Sequence, residues 1–394
     1  MKKYLYPAEI LLPKNNFEKW AVIACDQYTS DKKYWNEVEQ IVGDQPSTLH
    51  MVLPEIYLSE QEKRIEKINS TMEEYLNSDV FKRVSDSMIY IEREITGSAV
   101  RKGVLALIDL EEYEYEAGKR SLIRATEQTV SERIPPRVKI RKDASLEFPH
   151  VLLFIDDPDD AVISAAEGCK SKQSKLYDFE LMQGGGHIEG YNIAADIQDE
   201  INDRLGKLIK DGLLFAVGDG NHSLATAKEC YKLSSSSKAR YALVEVVNIH
   251  NPAIEFEPIY RVVFGVQKEK ILSFIKYKNM GILGEQSHKF TVVDKSGEEE
   301  FTLAPTSKLP VGTLQGYLDE FIKEHPEAEV DYIHGVEAVK ELCKKDNTVG
   351  FIFNGMEKNQ LFDAVIEDGS LPRKTFSMGH ANDKRFYIEG REIK

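Results

Sequence analysis

Five apolar residues in a row, Leu213-Leu214-Phe215-Ala216-Val217, run directly into Gly218-Asp219-Gly220-Asn221-His222-Ser223 and then Leu224-Ala225-Thr226-Ala227-Lys228. A run this short reads as a buried strand. The two glycines with Asp219 and Asn221 close it in a tight turn, and the residues that follow read as a helix. Strand, turn and helix in that order are the building unit of an α/β fold. The helix start offers unpaired N–H groups and a positive dipole end, which suits a phosphate oxygen. The turn is neither a P-loop nor a GxGxxG fingerprint, so those routes to phosphate binding do not apply.

The same grammar recurs along the chain. Trp20-Ala21-Val22-Ile23-Ala24-Cys25 reads as a buried strand, followed by a helix at about 32–42 capped by Ser30 or Asp31. Residues 59–81 carry helical periodicity, with Ile65, Ile68, Met72, Tyr75 and Leu76 near one face. Residues 88–95 and 104–109 read as neighbouring strands joined near Gly97-Ser98, and 177–182 with 188–193 as a hairpin around Gly184-Gly185-Gly186-His187. Helices are expected at 196–209, 224–233, 312–324 and 335–344, and strands at 151–155 and 241–249. Residues 119–146 read as an irregular polar stretch stiffened by Pro135-Pro136. The expectation is a mixed α/β (α+β) chain with no internal repeat. At 394 residues it suits two domains with mixed sheets, divided at the acidic cluster Asp156-Asp157-Pro158-Asp159-Asp160 into 1–156 and 157–394.

Three further constellations stand beside the turn. In an extended strand His187 and Glu189 point to one face, a geometry for a general base and its orienting partner, or for a metal shared with Asp219. A solvent-facing hairpin with flexible glycines explains the same residues. Arg124-Ala125-Thr126-Glu127-Gln128-Thr129, with Arg133, Arg137 and Arg141, is the one dense arginine region, and guanidinium groups grip phosphate bidentately. A solvated charged loop is the plainer reading. Late in the chain, Leu371-Pro372-Arg373-Lys374-Thr375-Phe376-Ser377-Met378-Gly379-His380 is a basic loop able to fold over a site or to dock as a tail. At the turn itself Asp219 is a candidate Mg²⁺ ligand or proton acceptor and His222 a donor to a transferring phosphoryl group, although Asp219 and Asn221 also serve simply as turn and cap residues.

Composition removes several classes. The net charge of −15 opposes general nucleic-acid binding but leaves room for a small phosphorylated molecule as partner, because a few arginines in one cleft reverse the local potential. No stretch approaches the ~20 apolar residues of a membrane helix, and no apolar run follows Lys2-Lys3, so a cytoplasmic location is expected. Cys25, Cys169, Cys230 and Cys343 lack CxxC spacing and read as free thiols, and the nine histidines form no HExxH zinc signature. No GxSxG elbow marks a serine hydrolase.

The chain resembles, from end to end, the bacterial domain-of-unknown-function family ten-fifteen. The resemblance rests on Ala24-Cys25-Asp26-Gln27-Tyr28-Thr29-Ser30, Pro46-Ser47-Thr48-Leu49-His50, Arg124-Ala125-Thr126-Glu127 and Arg133-Ile134-Pro135-Pro136-Arg137. It rests equally on the Gly218–Ser223 turn and on Pro372-Arg373-Lys374-Thr375-Phe376-Ser377-Met378. The turn of that family is similar to one in the ParB and sulfiredoxin-like superfamily, which includes nucleotide-binding partition proteins and free L-serine kinases. The resemblance implies one domain with a unit of that kind. It also implies a phosphotransferase acting on L-serine or O-phosphoserine, with Mg²⁺ and with pyrophosphate, ADP or ATP as donor. In this reading Asp219, His222, Glu189 and His187 do the chemistry, with Asp219 on the metal. Gly220, Asn221, Ser223, Arg124, Thr126, Glu127, Arg133 and Arg137 bind substrate and phosphate. Asn221 stands where the superfamily has a histidine and Ser223 where it has a phosphate-holding arginine, and Arg124, Arg133 or Arg137 would supply the missing charge. A non-catalytic nucleotide- or metabolite-binding regulator is the alternative.

Overall fold

The computed structural model describes residues 2–97, 99–116, 118–127, 129, 131–282 and 286–394. The chain divides into two compact units, the first made of Met1–Ala125, Thr129–Ile254 and Gly379–Lys394, the second of Thr126–Gln128 and Glu255–Met378. The architecture is mixed α/β. Among the described residues no helix is long and apolar enough to cross a membrane.

In the first unit β1 (Ala8–Pro13) precedes α1 (Lys32–Val42), whose start is capped by Asp31 accepting from the Tyr34 N–H at 3.1 Å. Next come α2 (Gln61–Asn77), β2 (Phe81–Glu94), β3 (Val100–Asp109), β4 (Tyr113–Glu114) and β5 (Ile123–Ala125). They are followed by α3 (Ile134–Arg141), β6 (Leu146–Glu147), β7 (Leu152–Ile155), α4 (Ala161–Glu167), β8 (Lys175–Glu180) and β9 (His187–Ile193). The unit continues through α5 (Ala195–Lys207), β10 (Phe215–Asp219), α6 (Asn221–Leu233) and β11 (Tyr241–Asn248). Its main sheet runs β4-β5-β10-β7-β11-β3-β2-β9-β8, with β1 added to β2. The sheet is mixed: β5 is parallel to β10 and β7 to β11, whereas β7 and β10 are antiparallel.

Alternation along the central strands sends side chains to two cores. Tyr90, Val104, Ala106, Ile108, Val244 and Val246 enter one, with α5 and α6 supplying Ile201, Leu205, Leu224 and Ala227. Ile89, Ile91, Leu105, Leu107 and Leu243 enter the other, against Trp20, Met72, Tyr75 and the returning Tyr387 and Ile388. Burial on both faces accounts for the nearly unbroken apolar runs of these strands.

The second unit contains β12 (Glu257–Phe264), α7 (Lys268–Asn279), β13 (His288–Asp294), β14 (Gly297–Leu303) and α8 (Pro310–Glu324). It continues with β15 (Glu329–His334), α9 (Val336–Leu342), β16 (Thr348–Phe353), α10 (Gln360–Asp368) and β17 (Phe376–Ser377). Its sheet, β14-β13-β16-β12-β15 with β17 on β12, pairs antiparallel throughout. The chain then returns to the first unit, where β18 (Arg391–Glu392) pairs with β6.

Three expectations differ from the structure. The division anticipated at 156/157 falls inside the first unit. There β7 lies between β10 and β11, and the acidic cluster leads into α4, with Asp157 accepting from the Val162 N–H at 2.8 Å. Of residues 20–25, 20–24 are buried and Cys25 is half-buried, but they form only an isolated bridge, Ile23 with Arg385, and no strand. The stretch 119–146 contains a strand and a helix: Pro135 and Pro136 occupy the first turn of α3, where a missing N–H costs nothing. Ser98 and Gln128, named in the sequence reading, lie outside the described residues.

The Arg101–Glu245 pair inside the first unit is bidentate, at 3.0 and 2.8 Å, with both side chains less than a tenth exposed. Arg101→Met strands a buried carboxylate and is expected to lower the urea-derived stability by about 3–5 kcal/mol. The double variant Arg101→Met, Glu245→Leu should lose far less in the same measurement, because no charge is left unpaired.

Candidate functional site

The turn after β10 is held open by steric necessity. A Cβ on Gly218 would sit 2.5 Å from the Phe154 ring. Gly220 has φ +85°, and a Cβ there would meet the His150 carbonyl at 2.7 Å. Side chains at these two positions would push the backbone away from β7 and move the start of α6.

Asp219 ends β10 and is the electrostatic centre of the turn. Its Oδ1 accepts from the Gly220 N–H at 2.7 Å. Its Oδ2 lies 3.4 Å from His150 Nε2 and 3.2 Å from Lys384 Nζ. Burial opposes the charge on Asp219, but the bond and charge of His150, then Lys384, hold its carboxyl well below the usual range. The other ring nitrogen of His150, Nδ1, faces the Arg385 carbonyl at 2.8 Å. The ring thus bridges the Arg385 carbonyl and the Asp219 carboxylate.

At the start of α6, Gly220 caps with its backbone alone, so the first helical N–H groups have no intrahelical partner. Asn221 Oδ1 and His222 Nε2 are buried with no hydrogen-bond partner among the described residues. Burial, then Arg137 and Arg133, hold the His222 ring down to about 4, against a weaker opposing pull from Asp26. His222 is therefore neutral at physiological pH. The arginines reach it because α3 packs on α6. Arg137 donates to the Arg133 carbonyl at 3.1 Å and pairs with Glu55, while Arg133 is exposed and makes no ion pair among the described residues. Glu55 N–H in turn donates to the Cys25 carbonyl at 3.0 Å, which ties this group to the 24–26 segment. Burial, with Asp26 and Glu55 adding to it, pushes the Cys25 thiol far up, so it stays protonated and is no nucleophile.

The arrangement joins a helix N-terminus, the unsatisfied His222 ring nitrogen, two arginines and an ammonium, with the Asn221 amide oxygen and the Asp219 carboxylate as its acceptors. Such a set can bind an oxyanion and neutralise charge that develops on it.

A family model described as "Protein of unknown function (DUF1015)" matches residues 5–322. The chain belongs to this family. No curated protein matches it. Among solved structures it is similar to a conserved hypothetical protein from Pyrococcus furiosus, at 14% identity and a TM-score of 0.38, over 74% of this chain and 95% of that one. It is also similar to a mutant free serine kinase in complex with ADP, at 13% identity and a TM-score of 0.42, over 76% of this chain and 95% of that one. A third likeness is to C-terminally truncated SbnI from Staphylococcus aureus, at 11% identity and a TM-score of 0.36, over 70% and 82%. Likeness this distant assigns no residue a role.

The structure gathers some of the expected residues and disperses others. Asp219, Gly220, Asn221, His222 and Ser223 form the turn, with Ser223 exposed, and Arg133 and Arg137 face it. Arg124 is spent elsewhere: its guanidinium donates to the carbonyls of Ser121 and Asp211, both at 3.1 Å, at the opposite end of β5. Thr126 and Glu127 belong to the second unit, where the Thr126 carbonyl accepts from the Leu371 N–H at 2.7 Å. His187 and Glu189 sit on β9, five strand places from β10, or roughly 24 Å measured along the sheet. They are partnered there: His187 meets Glu180 at 2.8 Å and Asp178 at 3.0 Å, and Glu189 accepts from Tyr191. Sharing of a metal or proton with Asp219 is ruled out by that placement.

Asp219 does not fit the role of a Mg²⁺ ligand either. Mg²⁺ needs an octahedron of oxygens. Here one carboxylate oxygen faces the His150 ring and the Lys384 ammonium and the other accepts an amide, and no metal-ligating group among the described residues includes Asp219. The residues that the sequence reading missed are His150, Lys384, Asp26 and Glu55. The motif Ala24-Cys25-Asp26 pointed to Asp26, but no signal marked His150 or Lys384.

The displaced His222 value sets a pH dependence. Because its folded value, about 4, lies below the ordinary 6.5, the unfolded chain binds the proton first. The stability tied to this neutral ring is complete above pH 6.5 and is lost as pH falls from there through about 4. Urea midpoints measured across that window should fall more steeply for the parent than for His222→Gln. Parallel curves would show that His222 titrates normally.

Proposed function

We propose that the first unit is a phosphotransferase that moves a phosphoryl group between a small phosphorylated donor and the hydroxyl of L-serine, or runs the reverse reaction on O-phosphoserine. The observation that carries the reading is His222 Nε2, buried without a partner among the described residues at the bare N-terminus of α6 beside two arginines, with the acceptor Asn221 Oδ1 left for the serine hydroxyl or ammonium. The phosphoryl group would lie against the amides of residues 221–223, with Arg133, Arg137 and Lys384 offsetting its charge and neutral His222 donating to one oxygen. With Glu189 elsewhere, Asp26 is the carboxylate whose charge acts on His222, and it would take the serine hydroxyl proton as the new P–O bond forms and the donor's P–O bond breaks. Asp219 would act by holding Lys384 and the turn in place rather than through a metal. Serine as acceptor, and pyrophosphate, ADP or ATP as donor, come from the resemblance of the turn to the superfamily of free serine kinases.

One observation favours the non-catalytic alternative. Asp219 is already engaged by His150 and Lys384, so the turn is also an anion-binding site that needs no further chemistry.

The assay is phosphoserine formation from L-serine with pyrophosphate, ADP or ATP, with and without Mg²⁺, run beside phosphate release from O-phospho-L-serine. Asp26→Asn and His222→Ala are expected to lose roughly 100-fold or more in kcat, whereas Glu189→Gln should keep full activity. Ligand-induced thermal stabilisation with no turnover in any mixture would replace the enzyme with a binding protein.

A further inference from the structure

The basic loop near the end of the second unit is unexplained by the phosphotransferase site, yet it is built at a cost. Arg261, at the centre of β12, is fully buried, and burial pushes its guanidinium down to about 10. Its donors go to Gln315 Oε1 at 2.8 Å, to the Ile259 carbonyl, and to the carbonyls of Lys374 and Arg373 at 2.9 and 3.1 Å. A buried cation is thus used to fix the backbone of two exposed cations. Its nearest acidic groups are Glu127 and Asp319, and Asp319 accepts from Gln315.

The loop that it fixes is strained. Lys374 has φ +54°, the left-handed region that a long side chain rarely occupies. Its neighbour Arg373 donates from Nε to the Tyr332 hydroxyl at 2.7 Å. The Tyr332 ring has Arg261, Lys374 and Arg373 at 4.8, 5.0 and 5.4 Å from its centroid. Three like charges on one ring repel, and among the described residues neither Arg373 nor Lys374 forms an ion pair. Ser377 Oγ and His334 Nδ1 lie alongside each other at 3.3 Å. A loop that only closed the unit would need neither the buried arginine nor the left-handed lysine. In a chain of net charge −15, this is a preorganised cationic surface whose Arg373 and Lys374 charges are in no ion pair among the described residues.

We infer that the Arg373-Lys374 loop over Tyr332 is a second oxyanion site, one that takes a phosphate or phosphoryl group. Arg373 presents the remaining face of its guanidinium, Lys374 a point charge, and the Arg261 scaffold keeps both from collapsing onto carboxylates. The site lies within the second unit, and it stands whether or not the first unit transfers phosphate.

The test reads Lys374 itself. The full-length protein is treated with a limiting acetylating reagent, and Lys374 modification is followed by mass spectrometry with added pyrophosphate, inorganic phosphate or citrate at matched ionic strength. Pyrophosphate, and inorganic phosphate more weakly, should slow Lys374 acetylation saturably, whereas exposed Lys142 and Lys345 report the background rate. Arg373→Gln should raise the pyrophosphate concentration needed for half protection by roughly ten-fold or more, and His222→Ala should leave it unchanged. Lys374→Gly, which removes both charge and strain, should keep or raise the Tm, as expected of a position strained for a ligand and not for stability. Equal acetylation with and without phosphates overturns the proposal. Protection by citrate as strong as that by pyrophosphate overturns the phosphate assignment, and a Tm lowered by Lys374→Gly shows the loop to be structural.

Discussion

A carboxylate inside a protein stays ionised only where opposite charge or donated hydrogen bonds replace its lost hydration, and Asp219 meets that condition with partners from two distant stretches of chain and from its own turn. His150 comes from the entry to β7, Lys384 from the returning C-terminal segment, and the Gly220 amide from the turn itself. Each partner is fixed in turn. His150 is anchored by the Arg385 carbonyl, and the Lys384 carbonyl accepts from the Ala24 N–H at 2.7 Å, which draws the Cys25-Asp26 segment alongside. The start of α6 is therefore the meeting point of elements that could not be brought together by local propensity. Its geometry depends on one neutralised charge.

Around that centre the division of labour follows burial. Groups with both charge and partners, such as Arg124 with its two carbonyls or Arg101 with Glu245, serve the fold. Groups left unsatisfied in a polar setting are where a ligand gains most, His222 Nε2 from an oxygen and the acceptor Asn221 Oδ1 from a hydroxyl or ammonium, since a hydrogen bond made there relieves a desolvation that folding has already imposed. Arg133 and Arg137 differ in the same way. Arg137 is tied to Glu55 and to backbone, while the fork of Arg133 is exposed beside the turn.

Much of this was legible in the sequence, and the limits have physical causes. The strand–turn–helix at 213–233 was readable because short apolar runs and glycines are local signals, and β10 and α6 stand there. Helix α3 was not, because Pro135-Pro136 stiffens a loop and opens a helix equally well. With it went the reason why Arg133 and Arg137 reach the turn when Arg124 does not. The pairing of Glu189 with Asp219 failed because residue spacing gives the face of a strand but not its place in the sheet, and β9 lies across the sheet from β10. His150 and Lys384 had no local signal, since their role exists only after β7 and the 379–394 segment are in place.

That last segment has a consequence for how the molecule is made. Lys384 and Arg385 follow the whole of the second unit in the chain, yet they complete the first. During synthesis at roughly 5–20 residues per second, the first unit emerges with Asp219 uncompensated and His150 without its carbonyl anchor. It waits until the entire intervening unit has been translated. A ribosome that stalls anywhere before Lys384 releases a chain in which the turn is present but its charge is unbalanced. Placing a partner cation so late leaves the start of α6 unsettled until the 379–394 segment has joined the first unit.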